Sequence, residues 1–200
     1  MRTIRAYVGL GANIGDARAT LTAAVHALSA LPDTSVAGVS RLYLTAPVEV
    51  TDQADFHNTA VGLDVPAGLG PTTGPLALLI ALKSIERAFG RQQRARYGPR
   101  ELDLDLLFYG NEQLALERAE EGRSPDPAKA TRLLEIPHPQ AHNRLFVLAP
   151  LADLAPEMVP PGWGESVAQA RLRQESIEGA SAVRVIGDWD AGLGVWSPAG

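Results

Sequence analysis

Residues 102–108, Leu-Asp-Leu-Asp-Leu-Leu-Phe, alternate apolar and acidic side chains, and that alternation calls for a β-strand with two unlike faces. Successive strand residues point to opposite sides, so Asp103 and Asp105 share one face while Leu102, Leu104, Leu106 and Phe108 share the other. A sheet containing this strand buries the leucines and leaves a face that holds two carboxylates. Carboxylates this close repel unless a cation or a proton sits between them, and hard oxygen ligands on a rigid strand suit magnesium. Just upstream, Arg91, Arg94, Arg96 and Arg100 supply guanidinium forks for phosphate oxygens. A polyphosphate with magnesium fits the pattern. So does a solvated edge strand beside a solvated arginine-rich loop, and spacing alone leaves both open.

The rest of the chain places this strand in a mixed fold. Residues 4–10 predict a first strand with Ala6, Val8 and Leu10 on one face, leading into Gly9-Leu10-Gly11-Ala12-Asn13-Ile14-Gly15. Its third glycine falls one residue late for a Rossmann turn, and no Gly-Lys-Ser/Thr follows, which favours a structural turn. Asp16 is placed to cap a helix whose Leu21, Ala24, Val25, Leu28 and Leu31 recur at helical spacing until Pro32; His26 within it has no evident partner. Residues 35–44 predict a second strand and residues 57–65 a third. The connection over 45–56 is too long for a tight hairpin and is of the kind that closes over ligands. Residues 76–89 predict an amphipathic helix with Pro75 in its first turn and Gly90 at its end. Leu78, Leu82, Ile85 and Phe89 form its apolar stripe; Lys83 and Glu86 flank the stripe as an ordinary ion pair. Residues 115–131 are charged, proline-containing and aperiodic, and read as a solvated loop insertion, whereas residues 145–154 are apolar enough for a buried helix. Residues 164–200 read as a helix to Arg173, a strand over 182–188 and a loose end with Gly and Trp. The order strand, helix, strand, strand, helix, strand predicts an α+β fold, a ferredoxin-like two-layer plait with an antiparallel sheet and helices packed on it.

A chain of 200 residues suffices for one domain with a genuine core, and no repeat or change of composition marks a second. The net charge of −5 argues against nonspecific nucleic-acid binding, although positive charge concentrates in the loop before Asp103. Lack of cysteine excludes a disulfide framework and a thiolate zinc site, and fits a cytoplasmic protein. The N-terminal segment lacks the apolar run of a signal peptide, and no stretch approaches the ~18 apolar residues of a membrane span.

Arg96-Tyr97-Gly98-Pro99-Arg100, followed two residues later by Asp103-Leu104-Asp105-Leu106-Leu107, resembles the signature of the hydroxymethyl-dihydropterin pyrophosphokinase (HPPK) family. These folate-pathway enzymes move pyrophosphate from ATP to a pterin alcohol. The likeness extends to the glycine-rich stretch at 9–15, to Thr45-Ala46-Pro47 with Asp55-Phe56-His57-Asn58, and to Ile136-Pro137-His138 with Asn143-Arg144 and Phe146. It covers residues 4–157. The resemblance implies a catalytic domain over 1–163 with a family-atypical insertion at 115–131. It leaves 164–200 as a C-terminal extension, packed on the same domain or partly loose.

As to sites, the resemblance implies that Asp103 and Asp105 bind two magnesium ions and that Arg94, Arg100, Asp103 and Asp105 are catalytic. ATP contacts would come from Lys83, Glu86, Arg91, Tyr97, Arg100, Leu106, His138 and Arg144. The pterin would lie between Phe56 and Phe146, with Asn58 reading its edge and Thr45 and Val48 recognising its amide side largely through backbone groups. The sequence departs from the family in places. Gly90-Arg91-Gln92-Gln93-Arg94 displaces the second loop arginine by one residue, so Arg94 takes its role only if the loop shifts register. Tyr97 stands where tryptophan is common, Phe56 where tyrosine is usual, and Pro139 replaces an aromatic.

Apart from the resemblance, Phe56 and Phe146 read as core residues. The aspartates and arginines alone also permit a two-metal nucleotidyl- or phosphotransferase with another acceptor, or a noncatalytic ligand-binding module. His138 and His142 are four apart, a zinc spacing on a helix, but Pro137 and Pro139 argue against a helix there. Expected partners are the small-molecule substrates, pterin alcohol and ATP, with no nucleic acid and no membrane, and the expected state is a monomer.

Overall fold

The computed structural model describes residues 2–47, 52–91, 98–119 and 131–200. Alternation in the first strand becomes β1 (Thr3–Ala12), whose Ala6, Val8, Leu10 and Ala12 are all buried. It runs antiparallel between β4 (Phe56–Pro66) and β5 (Asp103–Tyr109). β2 (Ser35–Val39) and β3 (Leu42–Thr45) pair with opposite ends of β4. Beyond β3 the sheet continues into β8 (Val183–Asp190) and β9 (Val195–Pro198), in the order β5-β1-β4-β3-β8-β9. A separate hairpin joins β6 (Leu114–Glu117) to β7 (Arg132–Ile136).

Two helices cover one face of the sheet. α1 (Ala17–Ser29) is capped by Asp16, whose Oδ1 accepts from the Ala19 N–H at 3.0 Å. α2 (Thr73–Ala88) ends at Gly90, which takes the left-handed backbone, φ 79°, that the chain needs to turn away. Their buried Leu21, Val25, Leu28, Leu78 and Leu82 meet Val8, Leu10, Leu104 and Leu106 in one core cluster. This is the expected α+β antiparallel plait. On the other face lie α3 (Leu145–Leu154) and, against it, α4 (Val167–Glu178).

The local structure departs from expectation at several points. Residues 35–44 form two strands, because the Ser40 hydroxyl takes over ladder contacts, accepting from the Ala60 N–H at 2.9 Å and meeting the Thr59 hydroxyl at 2.9 Å. Phe108 does not share the face of Leu102, Leu104 and Leu106. Between the pairs Tyr7–Phe108 and Val8–Leu106, β5 carries one extra residue, Leu107, so the register slips there and Phe108 packs edge-on to Tyr7 and Trp163 in a second cluster. The segment 115–131 is not all loop, since residues 115–117 lie in β6; residues 120–130 fall outside those described. Finally, α4 runs on to Glu178, past the expected stop at Arg173, and the Gly/Trp end is not loose. Trp196 is 4% exposed, donates from Nε1 to the Ser40 carbonyl at 3.0 Å and meets Trp189 edge-on at 4.6 Å, which fastens β9 to the sheet.

Candidate active site

Strand register builds the floor of the site. Gly9 and Gly11 of β1 stand opposite Asp105 and Asp103 of β5, and Gly11 also stands opposite Asn58 of β4. Directly opposed residues share a face, so the acidic pair and Asn58 are separated only by glycines. A Cβ on Gly11 would come within 3.1 Å of the Asn58 Oδ1. The strand predicted over 4–10 runs on to Ala12, so Gly11 lies in it and not in the expected turn, and the missing side chains of Gly9 and Gly11 leave a trough. At its far side Asn58, 6% exposed, donates from Nδ2 to the Thr45 Oγ1 at 2.7 Å, and Thr45 stands opposite Phe56.

The acidic pair is electrostatically unfinished. Burial, and then the neighbouring Asp105 carboxylate, push Asp103 up to about 6 despite Arg91 and Lys83. The Asp103 side chain is 34% exposed, yet its Oδ1 is buried and has no hydrogen bond among the described residues. Arg91 Nη2 lies 2.8 Å from that oxygen as an ion pair without hydrogen-bond alignment. Burial works against the Arg91 charge, but Asp103 and Glu86 hold it more firmly protonated than a free arginine. A buried acceptor left unbonded beside a second carboxylate is what a hard cation satisfies. Among the described residues no group of three or more His, Asp or Glu forms a metal cage. A cation here would have two carboxylates and take its remaining ligands from water or phosphate, as magnesium does.

Lys83 and Glu86 are more than a surface pair. Glu86 is 2% exposed, and its Oε1 accepts from the Leu104 N–H at 2.7 Å and from Lys83 Nζ at 2.8 Å, while also pairing with Arg91. Lys83 Nζ donates in addition to the Leu104 carbonyl at 3.1 Å. Leu104 lies between the two aspartates, so α2 grips β5 at the residue that sets their spacing.

Asn13 is a site residue that the sequence reading did not single out. Its Oδ1 accepts from the Arg100 N–H at 2.7 Å, and its own N–H donates to the Arg100 carbonyl at 3.0 Å. Its Nδ2 donates to Gln53 Oε1 at 3.1 Å and to the Ala54 carbonyl at 2.9 Å. One buried amide thus ties the Arg100 segment to the connection preceding Phe56. The available signal was a polar amide ending an alternating strand, where nothing local needs it.

On the other flank, the His138 N–H donates to the Leu107 carbonyl at 2.9 Å, which brings the 138–146 segment beside β5. The Arg144 guanidinium lies over the Phe146 ring at 5.7 Å, so an expected ATP contact touches an expected pterin contact. The Leu106 side chain is buried in the α1/α2 core, so the ATP contact expected of this residue would fall to its backbone. His142 stacks on Trp163 at 4.4 Å and its Nε2 lies 2.7 Å from Glu165 Oε1; this is a fastening, and no metal cluster of described residues includes it. Val48, Arg94, Arg96 and Tyr97 lie outside the described residues.

With the geometry in hand, the comparisons are specific. A family model described as 7,8-dihydro-6-hydroxymethylpterin-pyrophosphokinase (HPPK) matches residues 7–156. A 2-amino-4-hydroxy-6-hydroxymethyldihydropteridine pyrophosphokinase of Pseudomonas aeruginosa is 40% identical over 157 residues, covering 78% of this chain and 84% of that protein. A protein of the same name from Methylorubrum extorquens is 40% identical over 174 residues, covering 87% and 97%. Among solved structures, wild-type Plasmodium falciparum HPPK-DHPS superposes with a TM-score of 0.70 at 14% identity, covering 98% of this chain. That likeness shows the fold alone, and this chain spans 50% of the HPPK-DHPS chain.

Proposed function

The chain belongs to the 7,8-dihydro-6-hydroxymethylpterin-pyrophosphokinase family, and we propose that it transfers pyrophosphate from ATP to the hydroxymethyl group of 6-hydroxymethyl-7,8-dihydropterin. The products are AMP and the pterin pyrophosphate, a step of folate biosynthesis. The observation that carries the reading is the single sheet face on which Asp103 and Asp105 stand across two glycines from Asn58. One end suits a polyphosphate, and the other suits a flat heterocycle with an amide edge.

In the transfer the pterin hydroxyl oxygen bonds to the β-phosphorus, the bond from that phosphorus to the α,β-bridging oxygen breaks, and AMP leaves with the bridging oxygen. The hydroxyl proton passes to solvent. Asp103 and Asp105 would hold two magnesium ions, which when bound supply charge neutralisation for the phosphate and attacking oxygens. Arg91 and Arg100, with Arg94 from outside the described residues, hold phosphate oxygens. Lys83 and Glu86 fix the spacing of the acidic pair from α2 and flank the nucleotide, as do Tyr97, His138 and Arg144. Phe56 and Phe146 take the two faces of the pterin, and Asn58 offers donor and acceptor to its edge while Thr45 orients that amide. Positioning and charge then carry the rate, with little covalent work left to the protein. Residues 1–163 form the catalytic part, 164–200 pack on it, and the protein works as a monomer in the cytoplasm. No helix among the described residues is long and apolar enough to cross a membrane.

The test is phosphorus NMR of a mixture of the protein, magnesium, ATP and the pterin alcohol. AMP and a pterin pyrophosphate are expected in equal amounts. ADP with a pterin monophosphate, or no consumption of pterin, overturns the assignment.

A further inference from the structure

α3 starts at Leu145 with Arg144 in the N-cap position and no side-chain cap of its own. The cap comes from another helix. Glu178 of α4 accepts the Leu145 N–H through Oε1 at 3.0 Å, a carboxylate where the N-terminal end of a helix favours one. Three residues upstream, the His142 carbonyl accepts from Arg173 Nη2 of the same α4 at 2.8 Å. Buried Gln174 links these two attachments, its Oε1 accepting from Arg173 Nη1 at 3.1 Å and its Nε2 donating to Glu178 Oε1 at 2.7 Å. Glu165 holds the other side of Arg173, accepting from Nε at 2.9 Å. The backbone is thus gripped at the His142 carbonyl and the Leu145 N–H. Arg144 lies between these grips, and Phe146 follows immediately.

We propose that Arg173, Gln174 and Glu178 are positioning residues for the reaction, a clamp through which α4 fixes Arg144 toward ATP and Phe146 toward the pterin. The inference rests on the pyrophosphokinase reading. α4 lies beyond residue 156, where the family match ends, so the clamp makes the C-terminal segment a working part of the site. Hydrogen bonds that share one buried amide orient and strengthen one another, so loss of Gln174 breaks the link between the two grips and loss of Glu178 loosens it.

The experiment compares the full-length wild type with Gln174→Leu, Glu178→Ala, Glu178→Gln and Val167→Ala. Steady-state kinetics give KM for each substrate and kcat, and thermal melting gives stability. Hydrogen exchange at the Leu145 amide reports on the clamp without any substrate. Gln174→Leu and Glu178→Ala are expected to raise both KM values about fivefold while kcat changes less, and to speed Leu145 exchange. Glu178→Gln keeps an acceptor for the Leu145 N–H and restores both readouts. Val167→Ala removes buried α4 packing without touching the clamp, and lowers the melting temperature with KM unchanged. Unchanged KM and Leu145 exchange in Glu178→Ala, or KM changes in Val167→Ala equal to those in Gln174→Leu, overturn the proposal. A wild-type protein that does not turn over the pterin alcohol overturns the underlying reading instead, and the Leu145 amide still decides whether the clamp exists.

Discussion

The two faces of the central sheet come from the same strands and are built for opposite ends. Under α1 and α2, β1 and β5 present Val8, Leu10, Leu104 and Leu106, all buried in one apolar cluster. On the reverse, the alternate residues of these strands are Gly9, Gly11, Asp103 and Asp105, which leave a trough and place like charges side by side. The strand pleat lets a single seven-residue stretch contribute stability on one side and a costly charge arrangement on the other. Desolvation of Asp103 is tolerable because the leucines on either side hold the strand in place.

The comparison can be broken by changing neighbours one residue apart. Asp105→Ala is expected to lower turnover about a thousandfold with a nearly unchanged melting temperature. Leu104→Ala is expected to do the reverse, costing about 2–5 kcal/mol of stability in denaturant titrations while the protein that remains folded keeps its kcat. If both substitutions lowered stability and turnover in parallel, the division between the faces would be lost. Gly11→Ala sharpens the comparison at the trough itself. It crowds Asn58 and is expected to raise the KM for the pterin alcohol about fivefold with the KM for ATP unchanged.

Much of this division was legible in the alternation at 102–106, because a period of two under burial on one side fixes both faces at once. Expectation failed where a side chain replaced the backbone or where the register slipped. Phe108 continues the alternation in sequence but leaves its face because Leu107 is an extra residue in β5, a slip visible only in the pairing with β1. Ser40 interrupts a run of β-formers through contacts with β4 that only the folded sheet supplies. Trp196 looked like part of a loose end because its partner, the Ser40 carbonyl, lies 156 positions away. In the site, Asp103, Asp105, Asn58 and Thr45 are brought onto one face. Asn13 and the grip of Glu86 on Leu104 were not legible, since each serves backbone groups distant in sequence.

The smallest expected effect concerns the outer fastening of α4. Hydrogen bonds from Arg173 and then His142 hold the Glu165 carboxyl below its ordinary value. A depressed carboxylate contributes stability above its unfolded pKa, and that contribution is lost as pH falls through the folded value. Melting temperature against pH should therefore fall slightly less steeply on the acid side in Glu165→Gln than in the wild type. Identical acid limbs would remove Glu165 from the fastening.

The measurement closest to the central claim is calorimetric titration of a nonhydrolysable ATP analogue into the wild type and into Asp103→Ala, each with and without magnesium. The account predicts that magnesium tightens binding strongly in the wild type and hardly at all in Asp103→Ala, while pterin affinity is nearly the same in both. Equal wild-type affinity with and without magnesium would contradict the assignment of this sheet face as a metal-assisted phosphate site.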